Sequence, residues 1–215
     1  MSSTGYNYLV FDTETTGLPP RRNNKKYSIF DGKSYPNYDD LDASNHCRLV
    51  SISWMIYNIE TEDLLLERYY VIKPEGFYIP EESTKIHGIT TEYALENGVD
   101  ILDVFKQFEK DIETVNVRVA HNFLFDKYVI GAEMYRNLKD DLLDKWDSIP
   151  SFCTMVNGMT RYDFGTTRFG NAKPPKLEEL YFKIYNERMI GAHNAKADTN
   201  ACAKCYRSMV NSSSN

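Results

Sequence analysis

The sequence predicts one α/β domain in which a mixed β-sheet is flanked by helices. Three observations predict it. Strand-length apolar runs crowd the first third of the chain, helix-period runs follow, and a further strand sits between two of those helices, an order that suits helices layered on a sheet. The 215 residues are enough for one sizeable core and too few for two comfortable ones. An apolar fraction of 42%, with 11 Gly and 8 Pro, argues against wholesale disorder.

Tyr6 to Asp12, Leu49 to Tyr57 and Leu66 to Ile72 read as strands, and Asn58 to Asp63 as the turn between the latter two. Ile101 to Ile112 carries Ile101, Leu102, Phe105, Phe108 and Ile112, which is helical spacing. The strand Val117 to Ala120 follows. Helices are expected at about Phe123 to Leu138, Leu177 to Ile184 and Ala195 to Val210. Between the first two strands, Pro19 to His46 has no period and contains the turn formers Asp31-Gly32 and Pro36-Asn37. Its first part, with Arg21, Arg22, Lys25 and Lys26, is basic, and its last, Asp39-Asp40-Leu41-Asp42, is acidic. So long a loop suits either a solvated surface or a segment that contacts phosphates or a partner. Gly158 to Pro175, with Arg161, Arg168 and Lys173, is a second irregular stretch, either a plain loop or a flank of the site. The expected organisation is a single domain over 1–210 with an insertion at about 19–46, then a frayed tail over 211–215.

A net charge of −6 is at odds with a surface that grips long duplexes. Cys47 and Cys153 are isolated, and Cys202-Ala203-Lys204-Cys205 lacks the second ligand pair of a zinc site and the context of a redox motif. Small apolar side chains on a helix are the expectation there. Met1 to Tyr6 holds no basic segment with an apolar core, and no apolar stretch would span a bilayer. The expected setting is soluble and intracellular, cytoplasmic or nuclear.

The chemistry resides in four acids and a histidine. Asp12 and Glu14 end the first strand in the phrase Phe11-Asp12-Thr13-Glu14-Thr15-Thr16-Gly17, and alternation puts both carboxylates on one face. In His121-Asn122-Phe123-Leu124-Phe125-Asp126, the strand ends, Asn122 is placed to cap a helix, and Asp126 falls in that helix's first turn. His193 and Asp198 are five residues apart, ~140° around a continuous helix. Convergence on one site therefore needs His193 on a loop and Asp198 on the helix after it. His46 and His121 read as capping or packing residues.

These phrases resemble the DnaQ-like 3′-to-5′ exonucleases with a histidine in their third motif, the DEDDh group, and among them the proofreading type. Asp12 and Glu14 match the family's Asp-x-Glu, Asp126 its second aspartate, and His193 with Asp198 its His-x4-Asp. Ile86-His87-Gly88-Ile89-Thr90 and Pro175-Lys176-Leu177-Glu178-Glu179-Leu180 extend the likeness over roughly residues 6 to 210. Ordered agreement of several motifs is specific where one would not be. The resemblance implies a ribonuclease-H-like fold of about five strands, one antiparallel. It implies hydrolysis of nucleic acid from the 3′ end to nucleoside monophosphates, with single-stranded or frayed DNA as substrate. It implies two Mg²⁺ or Mn²⁺ ions held by Asp12, Glu14, Asp126 and Asp198, with His193 as general base. A nucleotide pocket of Thr15, Leu18, Ile86, His87, Asn122 and Phe125 belongs to the same reading, with Leu18 wedging between the last bases. Core packing is the rival role for Phe125, and ordering of the turn at Gly88 the rival role for His87. A polymerase or replication protein is a candidate partner.

The residue types make physical sense by themselves. Phosphodiester hydrolysis needs a deprotonated water and relief of charge on the phosphate, which a pair of divalent ions ~3.5–4 Å apart supplies. Carboxylates suit such hard ions. An imidazole of ordinary pKa ~6.5 suits proton removal near neutrality. Two alternatives stay open: an RNA exonuclease of the same family, and a catalytically reduced nucleic-acid-binding or polymerase-docking module.

Overall fold

A computed structural model describes residues 5–20, 35–191 and 194–211. His193, the basic residues Arg21, Arg22, Lys25 and Lys26, and residues 212–215 of the tail lie outside the described residues.

The strands are β1 (Asn7–Thr15), β2 (Leu49–Asn58), β3 (Leu64–Val71), β4 (Val115–Ala120) and β5 (Ser151–Cys153). The helices are α1 (Leu41–Ser44), α2 (Glu81–His87), α3 (Thr91–Asn97), α4 (Ile101–Asp111), α5 (Phe123–Arg136), α6 (Asp140–Ser148), α7 (Thr154–Arg161), α8 (Leu177–Tyr185) and α9 (Ala195–Asn211). One sheet runs in the order β3-β2-β1-β4-β5. β2 pairs antiparallel with both β1 and β3, whereas β1, β4 and β5 pair in parallel, so only β2 is reversed. This is the mixed, helix-flanked sheet of the ribonuclease-H-like fold.

β1 is the central strand, which explains its near-continuous apolar start: both of its faces are covered. Leu9 and Phe11 join a core with α4, α5 and α6, while Tyr8 and Val10 pack against Cys202, Ala203 and Tyr206 of α9. α4 forms where its apolar residues recur at helical spacing, and Asp100 caps it by accepting from the Leu102 amide at 2.7 Å. Phe108 stands edge-on to Trp54 at 5.0 Å and to Trp146 at 5.3 Å, joining α4, β2 and α6. Truncating it to alanine would cost about 3–5 kcal/mol. Cys202 and Cys205 are buried free thiols, the packing role expected of them.

A charge interrupts the short strand β4. Arg118 is buried, yet it donates to the Ile149 carbonyl from Nε at 2.9 Å and from Nη2 at 2.6 Å, with its guanidinium 4.3 Å from the centre of the Trp146 ring. The charge thereby ties the chain after α6 to the sheet.

Several short elements differ from expectation. Pro19 to His46 is not wholly irregular: Asp40 accepts from the Ala43 amide at 3.0 Å and caps α1. α7 absorbs Gly158 to Arg161, so the second irregular stretch begins at Tyr162. β5, α2 and α3 are too short to show a period, and β5 exists as a strand only because β4 pairs with it; α6 is not among the expected helices, although its buried Leu142, Leu143 and Trp146 recur at helical spacing. Among the described residues no helix is long and apolar enough to cross a membrane.

Candidate active site

β1 outruns its parallel neighbour. Pairing with β4 ends at Val10 with Val119, and β1 continues to Thr15 while the other chain turns into α5. That overhang, at the carboxyl ends of the parallel strands, is where open α/β sheets form their crevices. Asp12 and Glu14 continue the face of Tyr8 and Val10 toward α9, whose first turn carries Asp198. Asn194 makes that turn, its Oδ1 accepting from the Lys196 amide at 3.1 Å and the Ala197 amide at 3.4 Å. One carboxylate oxygen from each of Asp12, Glu14 and Asp198 lies within 4.8 Å of the other two.

Asp126 reaches the same end of β1 from the opposite face. It stands in the first turn of α5, is 3% exposed, and its Oδ1 accepts from the Thr13 amide at 3.1 Å and the Thr13 hydroxyl at 2.6 Å. Asn122 occupies the N-cap position of α5 but does not cap it with its side chain, contrary to expectation. Its φ of 60° and ψ of 42° put it in the left-handed region, whereas a capping side chain works from the β region.

Electrostatics follow from the crowding. Burial, then the charges of Asp126, Asp198 and Glu14, push Asp12 well above the usual carboxylate range. Burial with Asp198 and Asp126 pushes Glu14 up to about 8. Burial raises Asp126 to about 7 even though its bonds from Thr13 favour the charged form. Without a cation, this cluster holds protons near neutral pH. An all-oxygen donor set that repels itself in this way fits a hard divalent ion such as Mg²⁺ or Mn²⁺.

The residues expected to line a pocket have the following surroundings. The Thr15 hydroxyl donates to the Gly17 carbonyl at 2.7 Å and closes the turn after β1. A Cβ at Gly17 would meet the His46 carbonyl oxygen at 3.0 Å, so the close passage of backbone explains the glycine that ends the Thr-Thr-Gly phrase. Ser83 of α2 donates to the Thr16 carbonyl at 2.7 Å, tying α2 to that turn. Leu18 is 74% exposed and Ile86 59% exposed, apolar side chains held in solvent on two elements so joined. His87 orders the turn at Gly88: its Nδ1 accepts from the Ile89 amide at 3.1 Å, and Gly88 takes φ of +79°. Burial lowers the pKa of His87. Phe125 is part-buried and packs against the larger core, so packing accounts for one side of its ring. His121 is structural as expected, its ring nitrogens each 3.0 Å from the Thr154 hydroxyl and the Pro175 carbonyl. Burial holds its pKa down to about 4.

Two contributors are not evident from sequence motifs. Thr13 holds Asp126, and a signal for it exists: after Leu9 and Phe11 the alternation calls for an apolar residue, and a threonine stands there instead. Arg48 braces the turn after β1, its amide donating to the Thr16 hydroxyl at 2.9 Å and its Nε to Glu133 of α5 at 2.6 Å. The signal there is Glu133, an acid amid the apolar residues of α5.

The RNase T family model, described as exonuclease, matches residues 61–206. That span includes Asp126, His193 and Asp198 and begins after Asp12 and Glu14. Among solved structures, E. coli exonuclease I in complex with a dT13 oligonucleotide superposes with a TM-score of 0.69 at 16% identity, covering 94% of this chain and 40% of that one. Its complex with a dA16 oligonucleotide gives 0.67 at 15% identity over 96% and 41%. Exonuclease I without ligand gives 0.68 at 15% identity over 96% and 42%. The chain thus spans about two-fifths of the length of these proteins, and at such identity the likeness is one of fold. No curated protein sequence matches the chain.

Proposed function

We propose that this chain, which belongs to the DnaQ-like family of exonucleases, hydrolyses nucleic acid stepwise from the 3′ end and releases nucleoside monophosphates, with single-stranded or frayed DNA as its substrate. The observation that carries the reading is the convergence of Asp12, Glu14 and Asp198 within 4.8 Å at the end of β1. Asp126 completes the set from the other face of the strand.

In this reading Asp12, Glu14 and Asp198 would hold a divalent cation, Mg²⁺ or Mn²⁺, and Asp126 would contribute to holding a second. Such ions would supply a lowered pKa for bound water and relief of the charge that builds on the phosphate and the leaving oxygen. His193 precedes α9 and takes the proton from the attacking water, as a general base that is not itself a ligand. Leu18, Ile86 and Phe125 receive the terminal bases and sugar; Thr15, His87 and Asn122 shape the backbone turns around them. Apolar contact and stacking are indifferent to sequence, which suits a trimmer of unpaired ends. The exposure of Leu18 and Ile86 supports this role, since bases would cover what solvent otherwise wets. The preference for DNA draws on the oligodeoxynucleotide complexes of exonuclease I, a protein of the same fold. The whole chain is proposed to act as one domain over 1–210. A polymerase partner has no support from the comparisons and is not proposed.

The test is digestion of matched DNA and RNA oligonucleotides, labelled at the 3′ or the 5′ end, with Mg²⁺ or Mn²⁺ and with EDTA as control. Immediate release of 3′-labelled mononucleotide and a ladder from the 5′-labelled strand is expected, faster on DNA. Internal cuts, release from the 5′ end, or no hydrolysis in either metal would refute the reading; faster digestion of RNA would overturn the choice of substrate.

A further inference from the structure

We infer that Thr13, the middle residue of the Asp-Thr-Glu phrase, is a positioning residue that occupies one oxygen of Asp126 and so presents the other to a cation. The inference rests on the metal-dependent reading above and goes beyond it, by assigning a task to a side chain that is neither a ligand nor a substrate contact.

The geometry follows from where β4 stops. β1 is hydrogen-bonded to β2 along one edge as far as Thr15, but along its other edge the pairing with β4 ends at Val10. Beyond that point a backbone donor of β1 has no strand partner on the β4 side and must find another acceptor. The Thr13 amide finds the Asp126 carboxylate at 3.1 Å. The Thr13 hydroxyl, on the α5 face of β1 and in a residue 7% exposed, bonds the same oxygen at 2.6 Å. Two donors on one oxygen hold the carboxylate in place, and the Asp126 backbone amide bonds it as well; the oxygen that Thr13 does not touch, Oδ2, is the one assigned to the cation. Asp12 and Glu14 flank Thr13 on the opposite face of the strand, so a single three-residue segment sets the ligands of both faces relative to one another. Partners of this kind, which orient a ligand without touching the ion, typically affect metal affinity or activity by 10–100-fold.

The experiment uses the full chain with Mn²⁺ as probe. Thr13→Val keeps the shape and the amide but removes the hydroxyl; Thr13→Ser keeps the hydroxyl and removes the methyl. Mn²⁺ binding is followed by calorimetry and electron paramagnetic resonance without nucleic acid, and kcat and KM are measured on a 3′-labelled single strand. The Val variant is expected to lose about 10-fold or more in affinity at one of two Mn²⁺ sites with the other unchanged, and to lose kcat on the same scale with KM nearly constant. The Ser variant is expected to restore both to within a few-fold. Should the Val variant fail to fold, Thr13→Ala against Thr13→Ser supplies the same contrast. Native Mn²⁺ binding in the Val variant, or equal impairment of Val and Ser, would overturn the inference in favour of simple packing. Wild-type protein that neither binds Mn²⁺ nor hydrolyses would instead sink the exonuclease reading, and this inference with it.

Discussion

Replacing Glu14 by glutamine should raise the stability of the metal-free protein, and only at neutral to alkaline pH. In the folded chain Glu14 titrates at about 8 rather than 4.5, because burial and the charges of Asp198 and Asp126 disfavour its ionised form. Between those two values the folded state binds a proton that the unfolded chain has lost. Stability contributed by this group is therefore intact below about 4.5, declines as pH rises through the window, and is fully lost above about 8. At about 1.36 kcal/mol per pH unit the whole span corresponds to roughly 4–5 kcal/mol. Solvent at the exposed edge of the side chain screens part of this, leaving roughly 2–3 kcal/mol. For a chain of this length that is a rise in Tm of about 4–12 °C. Thermal unfolding followed by circular dichroism in EDTA, from pH 5 to 8.5, measures it. Glu14→Gln should melt above wild type by that margin at pH 8.5, and the two curves should converge toward pH 5. Saturating Mn²⁺ should reverse the order, since only wild type gains the full ligand set. A Gln variant that melts at or below wild type at pH 8.5 in EDTA, or a wild type whose Tm is flat across the range, would refute the picture of a self-repelling acid cluster.

Asp12→Ala should abolish hydrolysis while preserving the fold, because it removes a ligand and with it a source of repulsion; near-native turnover at saturating metal would show the site to be misassigned. His193→Ala should slow the chemical step by about 10²–10⁴-fold with metal binding little changed, and the wild-type rate should climb with pH as the imidazole loses its proton. Parallel loss of Mn²⁺ affinity, seen by calorimetry, would make His193 a ligand instead. Neutralising Arg21, Arg22, Lys25 and Lys26 together should weaken single-strand binding and flatten its salt dependence by ~0.7 for each phosphate that these cations otherwise neutralise. Dissociation constants over a salt series with Ca²⁺ in place of the catalytic metal decide this, and coincident slopes for wild type and variant would exclude the loop from the interface.

The sequence by itself determined the sheet's long strands and the identity of the acids. β1, β2 and β3 announce themselves because an apolar run of strand length that ends in polar residues has few other uses, and α4 because Ile101, Phe105 and Phe108 recur at its period. The pairing of Asp12 with Glu14 on one face needed only the alternation of a strand, and Asp198 stands in the first turn of α9 as expected, whereas the loop position expected of His193 lies outside the described residues. Local rules end there. Asn122 reads as a cap, yet in the passage from β4 into α5 it takes a left-handed conformation, which Asn tolerates better than most residues, and its side chain does not cap. β5 is three residues long and is a strand by virtue of its neighbour. Arg118 is tolerable inside a strand because the Ile149 carbonyl and the Trp146 ring come to it from 28 to 31 residues away. That Asp126 meets Thr13 across 113 residues, and by one oxygen, was decided by the length of β4. Backbone periodicity is written in neighbouring residues, whereas the pairing of polar groups depends on which strand stops first, and only the packed chain decides that.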